Sequence, residues 1–195
     1  MTCLSGDRLV PKTHGRIVFR GLIDTLEAEI IEAQVLAADL NRKEAPKGRD
    51  FCSCLEEILA CLRLVMAAEV RETPLEPPVL FGMGAGEIHR LSHWAKITGG
   101  EESGGAAGGG ALGGKPSYTQ GPLAARLNTL RARVREAELF AVKVFGPQGE
   151  TALAPDAGER GDIILVLNRL SSALWWLFCE CANANTNAVK KEDPE

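Results

Sequence analysis

The sequence predicts an all-α fold, an up-and-down bundle of four to five helices, from three observations. Apolar residues recur every three or four positions through four long stretches, prolines and glycines cluster between those stretches, and no apolar–polar alternation of strand length stands out. A chain of 195 residues is long enough for one domain with a substantial core.

Met1 to about Gly15 reads as an irregular lead-in, broken by Gly6, Pro11 and Gly15. A first helix is expected from about Arg16 to Leu40, with Phe19, Leu22, Ile23, Leu26, Ile30, Ala33, Ala37 and Leu40 on one face and Arg20, Asp24, Glu27 and Gln34 along its inner edge. Asn41 to Gly48 is a polar connection. Asp50 is placed to cap the second helix, whose stripe holds Leu55, Ile58, Leu59, Leu62, Val65 and Met66. Three prolines between Thr73 and Pro78 end it, and a short helix is expected from about Gly86 to Trp94. From about 98 to 114 the composition collapses to Gly, Ala, Ser and Glu, the signature of a loop that cannot bury enough surface to offset its ordering entropy. The last two long helices are expected over Pro122 to Val144 and Glu159 to Cys181. The single domain is expected to span 1–181, and 182–195 reads as a disordered polar tail.

Those last two helices carry the most informative residues. In the first of them Leu127, Leu130, Val134, Ala137 and Ala141 form the core face, Arg131, Arg135 and Glu138 border it, and Arg126, Arg133, Glu136 and Lys143 fall on the solvent side. In the second, Ile163, Val166, Leu167, Leu170, Ala173, Leu174 and Leu177 form the core face, bordered by Asn168, Ser171 and Ser172. A helix selected for stability alone would carry Leu or Ala at such borders. Two polar edges that can meet across a cleft point to a binding site.

A formal charge of −4, from 22 basic and 26 acidic residues, supplies no general attraction to nucleic acid or an anionic membrane, so any phosphate site must be local. No apolar run looks long enough to cross a bilayer, and the first residues lack a secretory pattern, so a cytoplasmic protein is expected. Cys3, Cys52, Cys54, Cys61, Cys179 and Cys181 fall mostly within helical patterns and read as reduced thiols. A metal site is the sharper alternative, since Cys52 and Cys54, Cys179 and Cys181, and His89 and His93 are close pairs. Residues two apart on a helix diverge, however, and there is no C-x-x-C, so no metal ligands are assigned.

Four motifs in order, Val10-Pro-Lys12, Gly21-Leu-Ile-Asp24-Thr-Leu-Glu27, Arg131-x-x-x-Arg135-x-x-Glu138 and Asn168-Arg-Leu-Ser171, resemble those of ATP:cob(I)alamin adenosyltransferases of the helical-bundle type. Leu9 to His14, Ile88 to His93, Pro116-Ser-Tyr118, Arg126-Leu-Asn and Asp162 to Ala173 bring the chain nearest the ethanolamine-utilisation branch, and the resemblance spans about Thr2 to Leu177. It implies transfer of the 5′-deoxyadenosyl group of ATP to cob(I)alamin, with ATP, Mg2+ and the reduced corrinoid as ligands. By the same resemblance Arg135 polarises the triphosphate, Arg131 pairs with Asp24 on the first helix, Glu138 and Asn168 contact the nucleotide or its magnesium, and Lys12 reaches the phosphates.

Several features depart from the pattern. The glycine- and threonine-rich opening loop of many members is represented only by Thr2-Cys-Leu-Ser-Gly6-Asp7, Ser172 stands where many relatives of the wider family have Asp, and the cysteine-rich metal motif of some members is not reproduced. A homo-oligomer is expected, a trimer with sites between subunits or a dimer, with a monomer as the remaining case. Trp175 and Trp176 are candidates for its interface or for the core. The competing function is a non-catalytic bundle that holds a corrinoid or docks a partner inside a bacterial microcompartment.

Overall fold

The computed structural model describes residues 1–43, 49–98, 115–147 and 158–192. Five α-helices carry the described chain: α1 (Gly15–Lys43), α2 (Phe51–Arg71), α3 (Ala85–Thr98), α4 (Pro122–Phe145) and α5 (Gly161–Glu192). The all-α expectation holds, and the predicted stripes are the core. Phe19, Ile23, Ile30, Leu55, Ile58, Leu62, Leu127, Leu130, Val134, Leu167, Leu170 and Leu174 are all buried in one cluster. α4 lies along α5, α1 packs on both α4 and α2, and α3 packs against α5. The rings of Phe19 and Phe145 meet edge to face at 5.2 Å, locking the start of α1 to the end of α4.

The irregular lead-in is corrected. Two short antiparallel strands, β1 (Thr2–Ser5) and β2 (Arg8–Val10), form a hairpin, with Thr2 opposite Val10 and Cys3 opposite Leu9. Its strands are too short for period-two patterning to show, yet Leu4 and Val10 are buried. A second hairpin, β3 (Val79–Leu80) and β4 (Met83–Gly84), turns through Phe81 and Gly82, both at positive φ. Glycine adopts that backbone freely. Phe81 is held there by its N–H donating to Glu57 at 2.6 Å and by its ring stacked on Trp176 at 5.5 Å.

Helix ends follow local chemistry. Asp50 does cap α2, accepting from the Cys52 N–H at 3.0 Å. Gly121, at φ 88°, precedes α4, and Pro122 opens it. At the other end of α4, Gly146 leaves no room for a side chain, because a Cβ there would meet the Val142 carbonyl oxygen at 2.4 Å. α5 does not stop at Cys181 but runs to Glu192, so the polar run after Cys181 is helical rather than a disordered tail as far as the description reaches. Cys181 and Ala182 are still buried, and extending an established helix costs far less than nucleating one. The expected glycine-rich loop, from 99 to 114, lies outside the described residues.

Gly161–Ala184 within α5 is, by length and composition alone, apolar enough to cross a membrane, against the expectation that no run is. Two-thirds of its most apolar window is buried in the bundle, which is what a helix surrounded by α2, α3 and α4 requires.

Candidate active site

α4 presents Arg131 and Arg135 one turn apart, and α5 presents Asn168, Ser171, Ser172 and Trp175 at the matching i, i+3, i+4, i+7 spacing. Where the two helices run together, with His89 and Ser92 of α3 as the third wall, these side chains enclose a polar cavity of about 80 Å³. The same two arginines border a larger groove of about 680 Å³, in which Val18 and Leu22 of α1 and Leu139 and Phe140 of α4 supply the apolar lining and Glu136 and Lys143 further charges. Arg131 and Arg135 line both spaces.

Among the described residues, no carboxylate lines the cavity. Arg131 donates to the Asn128 side chain at 3.1 Å, and its guanidinium lies over the Trp175 ring at 5.3 Å. Burial, and after it the charge of Arg135, pulls Arg131 below the ordinary guanidinium range. Two cations thus face a half-enclosed space without a counter-charge. Anionic oxygens would stabilise this arrangement, and guanidiniums present them with several fixed donors.

A chain of hydrogen bonds fixes the edge of the site. Asn168 donates from its amide to Glu138 at 2.8 Å and accepts from Arg169 at 2.9 Å. Arg169 also lies 2.9 Å from His89 Nδ1; because a guanidinium only donates, that nitrogen accepts and the imidazole proton sits on Nε2. Glu138 and Asn168 are therefore brought together with the two arginines, as their positions on α4 and α5 imply.

Two predicted residues are not gathered in. Asp24 is exposed on α1 and forms no ion pair with Arg131 among the described residues, so the expected Asp24–Arg131 pair is not made within this chain. Arg131 instead turns towards α5 and its tryptophan. Lys12 is exposed in the turn between β2 and α1 and lines neither space. Three other acids of α1 bridge to neighbouring helices: Glu27 pairs with Arg63 at 3.4 Å, Glu29 with Arg133 at 3.5 Å, and Glu32 with Arg126. Arg126 and Arg133 thus tie α4 to α1, although the pattern places them on the solvent side.

The sequence reading misses His89, Ser92 and Trp175 as site walls. Trp175 was legible, lying seven residues after Asn168 on the same face; His89 and Ser92 depend on where α3 docks, which no local pattern gives. All six cysteines are free, and burial pushes the thiols of Cys61, Cys179 and Cys181 up to about 11, so they are protonated and unreactive. No group of three or more His, Cys, Asp or Glu side chains able to hold a metal occurs among the described residues, and the side chain of His93 lies outside them.

The helical bundle thus places two guanidiniums, with no carboxylate in the cavity lining among the described residues, beside a larger groove with an apolar wall. The family described as cobalamin adenosyltransferase matches residues 1–181, and the chain belongs to that family. It is 30% identical to the corrinoid adenosyltransferase EutT of Salmonella typhimurium over 175 residues, covering 90% of this chain and 56% of that protein. Against the corrinoid adenosyltransferase EutT of Escherichia coli K12 it is 29% identical over 191 residues, covering 98% of this chain and 62% of the relative. The chain therefore spans less than two-thirds of the length of these curated relatives. No solved structure shows significant similarity.

Proposed function

We propose that the protein transfers the 5′-deoxyadenosyl group of ATP to cob(I)alamin, giving adenosylcobalamin and triphosphate. The observation that carries this reading is the shared position of Arg131 and Arg135, between a small polar cavity and a larger, more apolar groove. In the reaction the cobalt(I) electron pair forms a bond to C5′ of ATP while the C5′–O bond breaks and its electrons leave on the triphosphate. Cobalt(I) is already a strong nucleophile and needs no general base. The protein has to position the two substrates, stabilise a polyanionic leaving group and exclude water.

Arg135 stabilises the charge that develops on the triphosphate, and Arg131, held by Asn128 and Trp175, supplies the second cation. Asn168 anchors Glu138 by one carboxylate oxygen, leaving the other for the nucleotide or its Mg2+. The residues fit magnesium, which is commonly held by one or two carboxylates together with substrate phosphates and water. Bound there, the ion would neutralise part of the triphosphate charge. Lys12 is the outer phosphate contact, reaching in from its exposed turn.

Asp24 finds its role between copies. Its exposure and the exposed apolar residues Val18, Ile31, Val35, Leu139 and Val142 on α1 and α4 favour a homo-oligomer in which one copy's Asp24 meets its neighbour's Arg131. Relatives named for ethanolamine utilisation support a cytoplasmic setting, with a microcompartment as the place of work.

The test is anaerobic incubation with ATP, magnesium and chemically reduced cobalamin, followed by the visible spectrum. The wild type forms adenosylcobalamin, and Arg135→Ala slows it about a hundredfold or more with an unchanged helical circular dichroism spectrum. Corrinoid binding without turnover in the wild type would point to the non-catalytic bundle instead.

A further inference from the structure

We infer that Ser172 is a further ligand-binding residue, whose hydroxyl donates to a phosphate oxygen seated between Arg131 and Arg135. The inference rests on reading those arginines as the phosphate-binding pair. The three small hydroxyls on the cavity wall differ in what they are free to do. Ser92 donates back to the His89 carbonyl at 2.9 Å, and Ser171 donates to the Asn168 carbonyl at 2.9 Å, so both are used to close a helical turn. Ser172 is 8% exposed and forms no hydrogen bond among the described residues, yet it lines the same cavity.

Ser172 is nine-tenths buried and its hydroxyl has no partner among the described residues, whereas alanine in mid-helix would be the better helix former. Its position explains its presence. It follows Asn168 by one helical turn and so stands opposite the two guanidiniums. A space of about 80 Å³ has the room of two or three waters, which suits one phosphate group and excludes a nucleoside or a corrin ring. Two cations and one neutral donor around such a space select a compact oxyanion, the phosphate end of the nucleotide or the released triphosphate.

The test titrates the full chain with inorganic tripolyphosphate, with ATP and with adenosine. Ser172→Ala is expected to weaken tripolyphosphate and ATP about tenfold, the effect of a lost hydrogen bond to a charged group, and to leave adenosine unchanged. Thr129→Ala, which removes an exposed α4 hydroxyl that bonds back to the Ala125 carbonyl and lines neither space, leaves all three unchanged, and Ser172→Thr, which keeps a hydroxyl, restores the affinity. Wild-type affinity for tripolyphosphate in Ser172→Ala, or equal losses for adenosine, would overturn the inference. Arg135→Ala separates the two levels: if it binds tripolyphosphate as the wild type does, the reading of the arginine pair fails; if it loses binding while Ser172→Ala does not, the role of Ser172 alone fails.

Discussion

Two groups of arginines do opposite jobs in this bundle. At the C-terminal end of α2, Arg16, Arg20 and Arg160 each have a carboxylate. Arg16 pairs with Glu69 at 2.5 Å and Glu72 at 2.6 Å and donates to the Glu69 carbonyl at 2.8 Å. Arg20 pairs with the other Glu69 oxygen at 2.5 Å and reaches the Leu4 carbonyl at 2.8 Å, pinning the first hairpin. Arg160 pairs with Asp162 at 3.0 Å and donates to the carbonyls of Ala68 and Thr73. Around the cavity, by contrast, Arg131 and Arg135 have each other for company and no carboxylate in the lining.

The two sites respond differently to burial. Desolvation alone would pull Arg16 down, but the carboxylates of Glu72 and Glu69 outweigh it and hold the guanidinium above its ordinary value. For Arg131 desolvation and the neighbouring charge act in the same direction. Matched charges hold helices in place, whereas unmatched ones await a ligand.

The largest effect on stability should come from the matched site. Glu69 is fully buried and answers two guanidiniums, so Glu69→Ala strands Arg20, leaves Arg16 with Glu72 alone, and is expected to cost about 3–5 kcal/mol, read from the urea midpoint. A loss no larger than that of a surface substitution would break the contrast.

Acid should erode the same region next. Burial opposes ionisation of Asp162, yet hydrogen bonds from Arg160, Leu75 and Ile163 outweigh it and hold the carboxyl below its ordinary value of 3.8. Hydrogen bonding and attraction from Arg16 hold Glu72 below its ordinary 4.5. A carboxylate with a depressed folded pKa contributes stability that is complete above its unfolded value and is lost as pH falls through the folded one. Stability is therefore expected to drop below about pH 4, and Asp162→Asn, costing about 1 kcal/mol at neutral pH, should flatten that drop. An unchanged acid limb in the variant would remove Asp162 from the hub.

The helices were legible because each buries a continuous stripe: the expected core positions of α4 and α5 are all nearly inaccessible. The α4 residues Arg131, Arg135 and Glu138 and the α5 residue Asn168 were legible for the same reason, since a polar border beside an apolar stripe has no packing purpose. What was hidden depends on contacts between distant segments. Nothing local announces that Glu69 receives Arg16 and Arg20 from 53 and 49 residues away, that α3 brings His89 to Arg169, or that Arg131 lies over Trp175 rather than pairing with Asp24. The hairpins were missed because strands of two to four residues carry too few alternations to register.

The most direct test of the unmatched pair is the thermal midpoint of the full chain with and without inorganic tripolyphosphate, for the wild type and Arg135→Ala. Removing Arg135 should cost the free protein little, within about 0.5 kcal/mol, because no carboxylate loses a partner and Arg131 loses a repulsive neighbour. Tripolyphosphate should raise the wild-type midpoint, through binding to the folded state, and should do nothing to the variant. An equal rise in both proteins, or none in either, would contradict the claim that these two guanidiniums are held for a polyanion.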